Sequence, residues 1–200
     1  MNIKEKAQKY WKEKTVWTKI SDFIFIALIV ALIFPASRMQ VLVFVKQLTS
    51  FSPKAIDKEE RKAITITDYD WTFETLDGKI HNMKDYAGKT IFINQWATWC
   101  PPCVAEMPSI QKLYDQVKTN PKIVFVIITN EKKEIVEAFL KKQGYTFPVV
   151  LARTETPKAF DSESIPVTFV VSPKGEIVLK EYGSRKWHGE ETVKILNSLN

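Results

Sequence analysis

Histidine and cysteine are scarce in this chain. Its 200 residues hold two of each, at His81, His188, Cys100 and Cys103. A structural zinc site uses about four Cys or His ligands, and neither histidine stands at ligand spacing from the cysteines, so that site is excluded. Covalent haem attachment needs a histidine directly after the second cysteine, and position 104 is valine. There is no internal repeat, no low-complexity tract and no cofactor-binding motif. The 26% charged and 45% apolar residues describe a folded chain rather than a disordered one. The net charge of +6 is concentrated at one end. Residues 1–19 hold six lysines against two glutamates, whereas from Gln47 onward 21 Lys and Arg face 20 Asp and Glu. Basicity confined to a terminal tag excludes a broad nucleic-acid surface.

That tag precedes an uncharged apolar run, Phe23 to Phe34. Such a run is too short to cross a bilayer, but Trp17 to Ser37 gives about 20 residues, roughly the 30 Å of a hydrocarbon core. Asp22 falls near one end, within reach of the interface, and Trp17 suits the headgroup level. Lysines before the segment and few after it place the N-terminus in the cytoplasm and the rest of the chain outside the cytoplasmic membrane. A cleaved signal peptide would need a small-x-small site, which Phe34-Pro35-Ala36-Ser37 does not offer. The expected organisation is a basic cytoplasmic tail over 1–16, a transmembrane anchor over 17–37, an amphipathic segment and polar linker over 38–62, and a folded domain over 63–200. In the third part, Val41, Leu42, Phe44, Val45, Leu48 and Phe51 recur at helical spacing.

The two cysteines lie three apart in Trp96-Ala97-Thr98-Trp99-Cys100-Pro101-Pro102-Cys103, after a strand-like run and before a helix-like one. A Cys-x-x-Cys pair on the first turn of a helix brings its sulfurs within bonding range. It also points the helix N-terminus at the first thiol, where partial positive charge favours thiolate. Thiolate is the nucleophile of disulfide exchange, so the residues read as a redox pair. Around them, Trp71 to Leu76 and Lys79 to Asn82 flank Asp77-Gly78 as a hairpin. Thr90 to Trp96 and Lys122 to Thr129 read as buried parallel strands. Pro101 to about Lys118 and Lys132 to Gln143 read as helices, the second closed by Gly144. Phe147 to Ala152 is expected as a short edge strand. Pro166 to Val171 and Glu176 to Tyr182 form a second hairpin, and Gly189 to Leu199 a final helix. The pattern is an α/β sheet covered by helices.

One helix position stands out. Cys103, Glu106, Ile110, Leu113 and Val117 share a helix face, which puts a carboxylate on an apolar stripe beneath the cysteines. Burial would raise its pKa and let it exchange protons with Cys103.

Trp-Ala-Thr-Trp-Cys-Pro-Pro-Cys at 96–103, Glu106-Met107-Pro108 and Ile165-Pro166-Val167-Thr168-Phe169 together resemble the thioredoxin fold. More narrowly, they resemble the membrane-anchored TlpA/ResA-like branch of bacterial thiol–disulfide oxidoreductases, over about the last two-thirds of the chain. The resemblance implies a thioredoxin-like α/β domain, with a central mixed sheet flanked by helices and an N-terminal β-hairpin, behind a transmembrane helix. It makes Cys100 the attacking thiol, the more exposed of the two, and Cys103 the resolving one, with Glu106 as their proton partner. Trp99, Pro101, Pro102, Ile165 and Pro166 would meet the substrate, Pro166 as a cis-proline opposite the cysteines. The implied activity is reduction of disulfides in exported proteins, apocytochrome c among them, fed by a membrane-embedded thiol donor and using no cofactor. Thioredoxin proper carries aspartate six residues before the first cysteine; here Asn94 stands there, leaving Glu106 to act alone. Two alternatives use the same pair: a peroxiredoxin-like thiol peroxidase, and a non-enzymatic copper chaperone.

Overall fold

A computed structural model of the chain describes residues 15–33 and 35–199. The basic tail expected over 1–16 lies almost wholly outside the described residues. Two compact units divide the chain between Leu42 and Val43. The first contains α1 (Val16–Ile33), and α2 (Pro35–Thr49) runs across the boundary. Among the described residues, no helix is long and apolar enough to cross a membrane. The apolar side chains of α1 are nonetheless open on successive positions, Phe23, Ile24, Phe25 and Ile26 all being exposed.

The second unit is built on strands β1 (Lys62–Ala63), β2 (Thr72–Thr75), β3 (Ile80–Asn82), β4 (Thr90–Gln95), β5 (Ile123–Thr129), β6 (Val149–Ala152), β7 (Val167–Val171) and β8 (Glu176–Tyr182). Helices α3 (Pro101–Val117), α4 (Lys133–Gln143) and α5 (Glu190–Ser198) complete it. All eight strands join one sheet in the order β1-β8-β7-β4-β5-β6-β2-β3. β4, β5 and β6 run parallel, linked by α3 and α4, while β7 returns antiparallel on β4.

The central strands are buried on both faces, which explains their unbroken apolar runs. In β4, Phe92 faces the core shared with α3 and α5, whereas Ile91 and Ile93 face the opposite core. In β5, Phe125 and Ile127 take the first side and Val126 and Ile128 the second. On the first side, α3 contributes Cys103, Ile110, Leu113 and Val117 of the expected stripe, with Met107 beside them. Gly144 ends α4 with φ +72°, a conformation costly for residues with a side chain.

Two expectations are corrected. The strand at 149–152 is interior, because β2 pairs antiparallel with its free side, Phe73 opposite Ala152 and Thr75 opposite Val150. The sheet edge therefore falls on β3. The polar stretch before residue 63 is not a free linker. Phe51 O accepts from Lys186 N, Lys54 N donates to the Glu181 carboxylate, and Ile56 N donates to Val178 O at 2.8 Å. Lys62 and Ala63 then pair with Ile177 and Glu176. Backbone groups make these contacts, so a polar composition did not disclose them.

Residues 51–63 accordingly belong to the folded domain. A chain lacking residues 1–50 should melt as the intact domain does, whereas one lacking 1–63 loses an edge strand and should melt lower by about 5 °C. Equal melting temperatures by circular dichroism would show the 51–63 segment to be unattached.

Candidate active site

The parallel strands β4 and β5 end on the same side of the sheet, the place where open α/β sheets hold their sites. The chain leaves β4 at Gln95 and enters α3 at Pro101, and the loop between them is clamped. The Thr98 N–H and hydroxyl both donate to the Glu131 carboxylate, at 2.6 and 2.8 Å. Glu131 follows the end of β5, so two adjacent strand ends are tied across the site. Trp99 projects from the loop, 65% exposed.

Cys100 is the N-cap of α3, and Pro101 occupies the first helical position, where a missing N–H is no loss. The Cys103 N–H donates to Cys100 Sγ at 3.3 Å, so the sulfur sits where helix N–H groups converge. Cys100 and Cys103 are joined as a disulfide with Cα atoms 5.2 Å apart. Cys103 is fully buried, and Cys100 is only 4% exposed in this oxidised form. The order of exposure follows expectation, but the first sulfur is far less open than a free nucleophile would be. Ile165-Pro166 is a cis peptide, and the Ile165 carbonyl oxygen lies 3.8 Å from Cys100 Sγ. Trp99 and Ile165 thus flank Cys100 from two chain segments. A cleft of about 220 Å³ opens beside them, lined also by Trp71, Trp96, Glu131 and Thr156.

Glu106 lies one turn into α3 from Cys103, 1% exposed. Its Oε1 accepts from Asn94 Nδ2 at 2.8 Å. Its Oε2 accepts from Trp187 Nε1 at 2.9 Å and from the Arg185 backbone N–H at 3.3 Å. Asn94 also donates to Thr168 Oγ1 at 2.8 Å, directly across the β4–β7 ladder. Burial pushes the Glu106 carboxyl up from 4.5 to about 7, although the three donors pull the other way. The Arg185 charge favours the anion as well, but desolvation of the fully buried carboxyl is the largest influence and prevails.

Asn94 Oδ1 is buried without a partner. A half-turn of this amide would offer that oxygen to a protonated Glu106, while Thr168 can donate as well as accept. Neutral Asn94 therefore suits a carboxyl that changes charge, as an anion in the same place would not.

Sequence reasoning placed Cys100, Cys103, Glu106, Trp99, Pro101, Pro102, Ile165 and Pro166 at the site, and they converge there. It missed the cage around the carboxylate and the Glu131 clamp. Trp187 was the available signal for the cage, an aromatic isolated in the polar stretch Gly183-Ser-Arg-Lys-Trp-His. Glu131 could have been found from its place directly after a parallel strand. Among the described residues, no three His, Cys, Asp or Glu side chains group so as to hold a metal ion.

A model of the Redoxin family matches residues 51–199. The Thiol-disulfide oxidoreductase ResA of Geobacillus kaustophilus is 35% identical over 121 residues, covering 59% of this chain and 70% of that protein. The Sporulation thiol-disulfide oxidoreductase A of Bacillus subtilis is 30% identical over 149 residues, covering 72% and 88%. Among solved structures, StoA from Bacillus subtilis superposes with a TM-score of 0.53 at 27% identity, covering 64% of this chain and 95% of that one. A thioredoxin family thiol:disulfide interchange protein from Chlorobium tepidum TLS gives 0.54 at 25% identity, covering 75% and 95%.

The Glu106 cage makes stability depend on pH with a definite sign. The folded carboxyl holds its proton up to about pH 7, the unfolded one only to about 4.5. Between those values the native state binds more protons, so stability falls as pH rises, by about 3 kcal/mol, and levels off above. Urea unfolding of oxidised protein should show this decline, and Glu106→Gln should remove it. A decline that survives the substitution would mean that another group is responsible.

Proposed function

The chain belongs to the redoxin family, as a thiol–disulfide oxidoreductase of the ResA/TlpA-like kind, and on that premise we propose that it is tethered to the cytoplasmic membrane and reduces disulfides of exported proteins. The observation that carries the direction is the carboxylate beneath the disulfide. Oxidising members of the thioredoxin class are strong oxidants because their reduced thiolate form is stabilised. A buried negative charge one turn from Cys103 does the opposite, since it opposes ionisation of the neighbouring thiols.

In the proposed cycle the reduced pair begins with Cys100 as thiolate, favoured by the N-terminus of α3. Cys100 attacks one sulfur of the substrate disulfide; a mixed disulfide forms and the other substrate sulfur leaves as thiolate and is protonated. Cys103 then gives its proton to Glu106 and attacks Cys100 Sγ. The second substrate sulfur departs, and the Cys100–Cys103 disulfide holds the two electron equivalents of oxidation. A membrane-embedded thiol donor restores the dithiol. Trp99, Pro101, Pro102, Ile165 and Pro166 form the surface against which an extended substrate segment lies, with the Ile165 backbone beside Cys100. Apocytochrome c is the substrate class that the resemblance favours.

The membrane tether rests on the segment 17–37 and the lysines before it. The side chains of α1 support it, because Trp17 is 82% exposed and four successive apolar residues follow open at 23–26. A helix that is apolar all round finds its place inside protein or lipid.

Full-length Cys103→Ser should accumulate mixed disulfides with exported proteins in membranes washed with carbonate, and Cys100→Ser should accumulate none. Trapping by Cys100→Ser alone would reverse the two roles. Trapped species released by salt would contradict the tether.

A further inference from the structure

A second pocket, of about 210 Å³, borders the segment that cages Glu106. Its lining includes Lys112 of α3, Arg185, Lys186 and His188 after β8, and Gln47 and Ser50 at the end of α2. Three cationic side chains line it, and among the described residues no acidic one does. The Arg185 Nε is engaged by Glu181 Oε2 at 2.9 Å and Nη1 by the Ser184 carbonyl oxygen, which leaves Nη2 for another acceptor. Lys112 and Lys186 form no ion pair among the described residues. That both ammoniums bear on one point is seen at His188: burial, then the charges of Lys112 and Lys186, hold its imidazole below the ordinary range. The ring is fixed by Ser109, whose Oγ lies 2.8 Å from Nδ1 and accepts from the Trp187 and His188 N–H groups.

Arg185 has its counterion in Glu181, but the Lys112 and Lys186 ammoniums have none among the described residues, and like charges that share a pocket are tolerated where an anion joins them. We propose that this pocket binds a phosphate-type anion, gripped by Lys112, Lys186 and Arg185 with His188 against it. The source we favour is the headgroup of an anionic phospholipid, because Gln47 follows the end of the proposed membrane span, Ser37, by only ten residues of sequence. The choice of lipid rests on the tether proposed above; the phosphate site does not. Arg185 joins this pocket to the redox site, since its backbone N–H also donates to Glu106.

The chain has only two histidines, and His81 on β3 lies outside the pocket, so the test carries its own control. Full-length protein with ¹³C-labelled histidine, in a neutral detergent at fixed pH, is titrated with inorganic phosphate while chloride keeps ionic strength constant. The His188 ring resonances should move to saturation while those of His81 stay still. Lys112→Gln with Lys186→Gln should weaken this response at least about tenfold. An unmoved His188, or a response equal in the double variant, overturns the site. The same protein is then placed in phosphatidylglycerol nanodiscs without free phosphate. His188 at its phosphate-bound position supports the headgroup. His188 at its free position, still responsive to added phosphate, overturns the lipid source and keeps the anion site. Failure of the tether itself would show separately, as protein that does not enter the nanodisc although it titrates in detergent.

Discussion

A carboxylate kept from water one helical turn below a disulfide is the constraint around which the domain is arranged. Glu106 can occupy the apolar stripe of α3 only because Asn94, Trp187 and the Arg185 backbone meet its oxygens. Those partners come from β4 and from the loop after β8, so the sheet register and the closing segment are both committed to one side chain. An unpaired buried carboxylate would cost several kcal/mol. Three neutral donors lower that cost without cancelling it, and the remainder appears as a carboxyl that titrates near neutrality. The group is therefore able to take up and release a proton at physiological pH.

The opposite influence acts from above. The N-terminus of α3 is directed at Cys100, and the Glu131 clamp on Thr98 holds the preceding loop so that this alignment persists. One cysteine thus meets partial positive charge and the other a nearby carboxylate, over a single helical turn. In the proposed cycle that polarity divides the pair into a nucleophile and a resolving thiol whose proton has somewhere to go. The cis-proline loop brings the Ile165 carbonyl to the same sulfur from β7, leaving Trp99 and the adjoining cleft open to a partner.

What was legible in the sequence follows the range of the forces involved. Strands β4, β5 and β7 were readable because burial on both faces leaves continuous apolar runs. The Glu106 stripe was readable because helical periodicity is local. The position of β6 was not, since its neighbour β2 comes from more than 70 residues earlier and only tertiary pairing brings them together. Residues 51–63 read as linker because they dock through backbone groups, which composition does not record. Asn94 was visible as a departure from aspartate, yet its donor role needed Thr168 opposite it and Glu106 below. The basic pocket escaped for a similar reason: Lys112 lies far in sequence from Arg185, Lys186 and His188. The apolar segment at 17–37 has the composition of a span, and its described residues are helical over Val16–Ile33 and from Pro35 onward.

The central claim is that the buried carboxylate makes this a reducing pair, by withholding stabilisation from the thiolate. The measurement that bears on it most directly is the reduction potential of Cys100–Cys103 at neutral pH, by equilibration with glutathione or dithiothreitol buffers, in wild type and in Glu106→Gln. The account predicts a wild-type value in the thioredoxin range, about −270 mV, moving in the oxidising direction when the carboxylate is neutralised. A wild-type value near −120 mV, that of a strong oxidant, unchanged by the substitution, would contradict it.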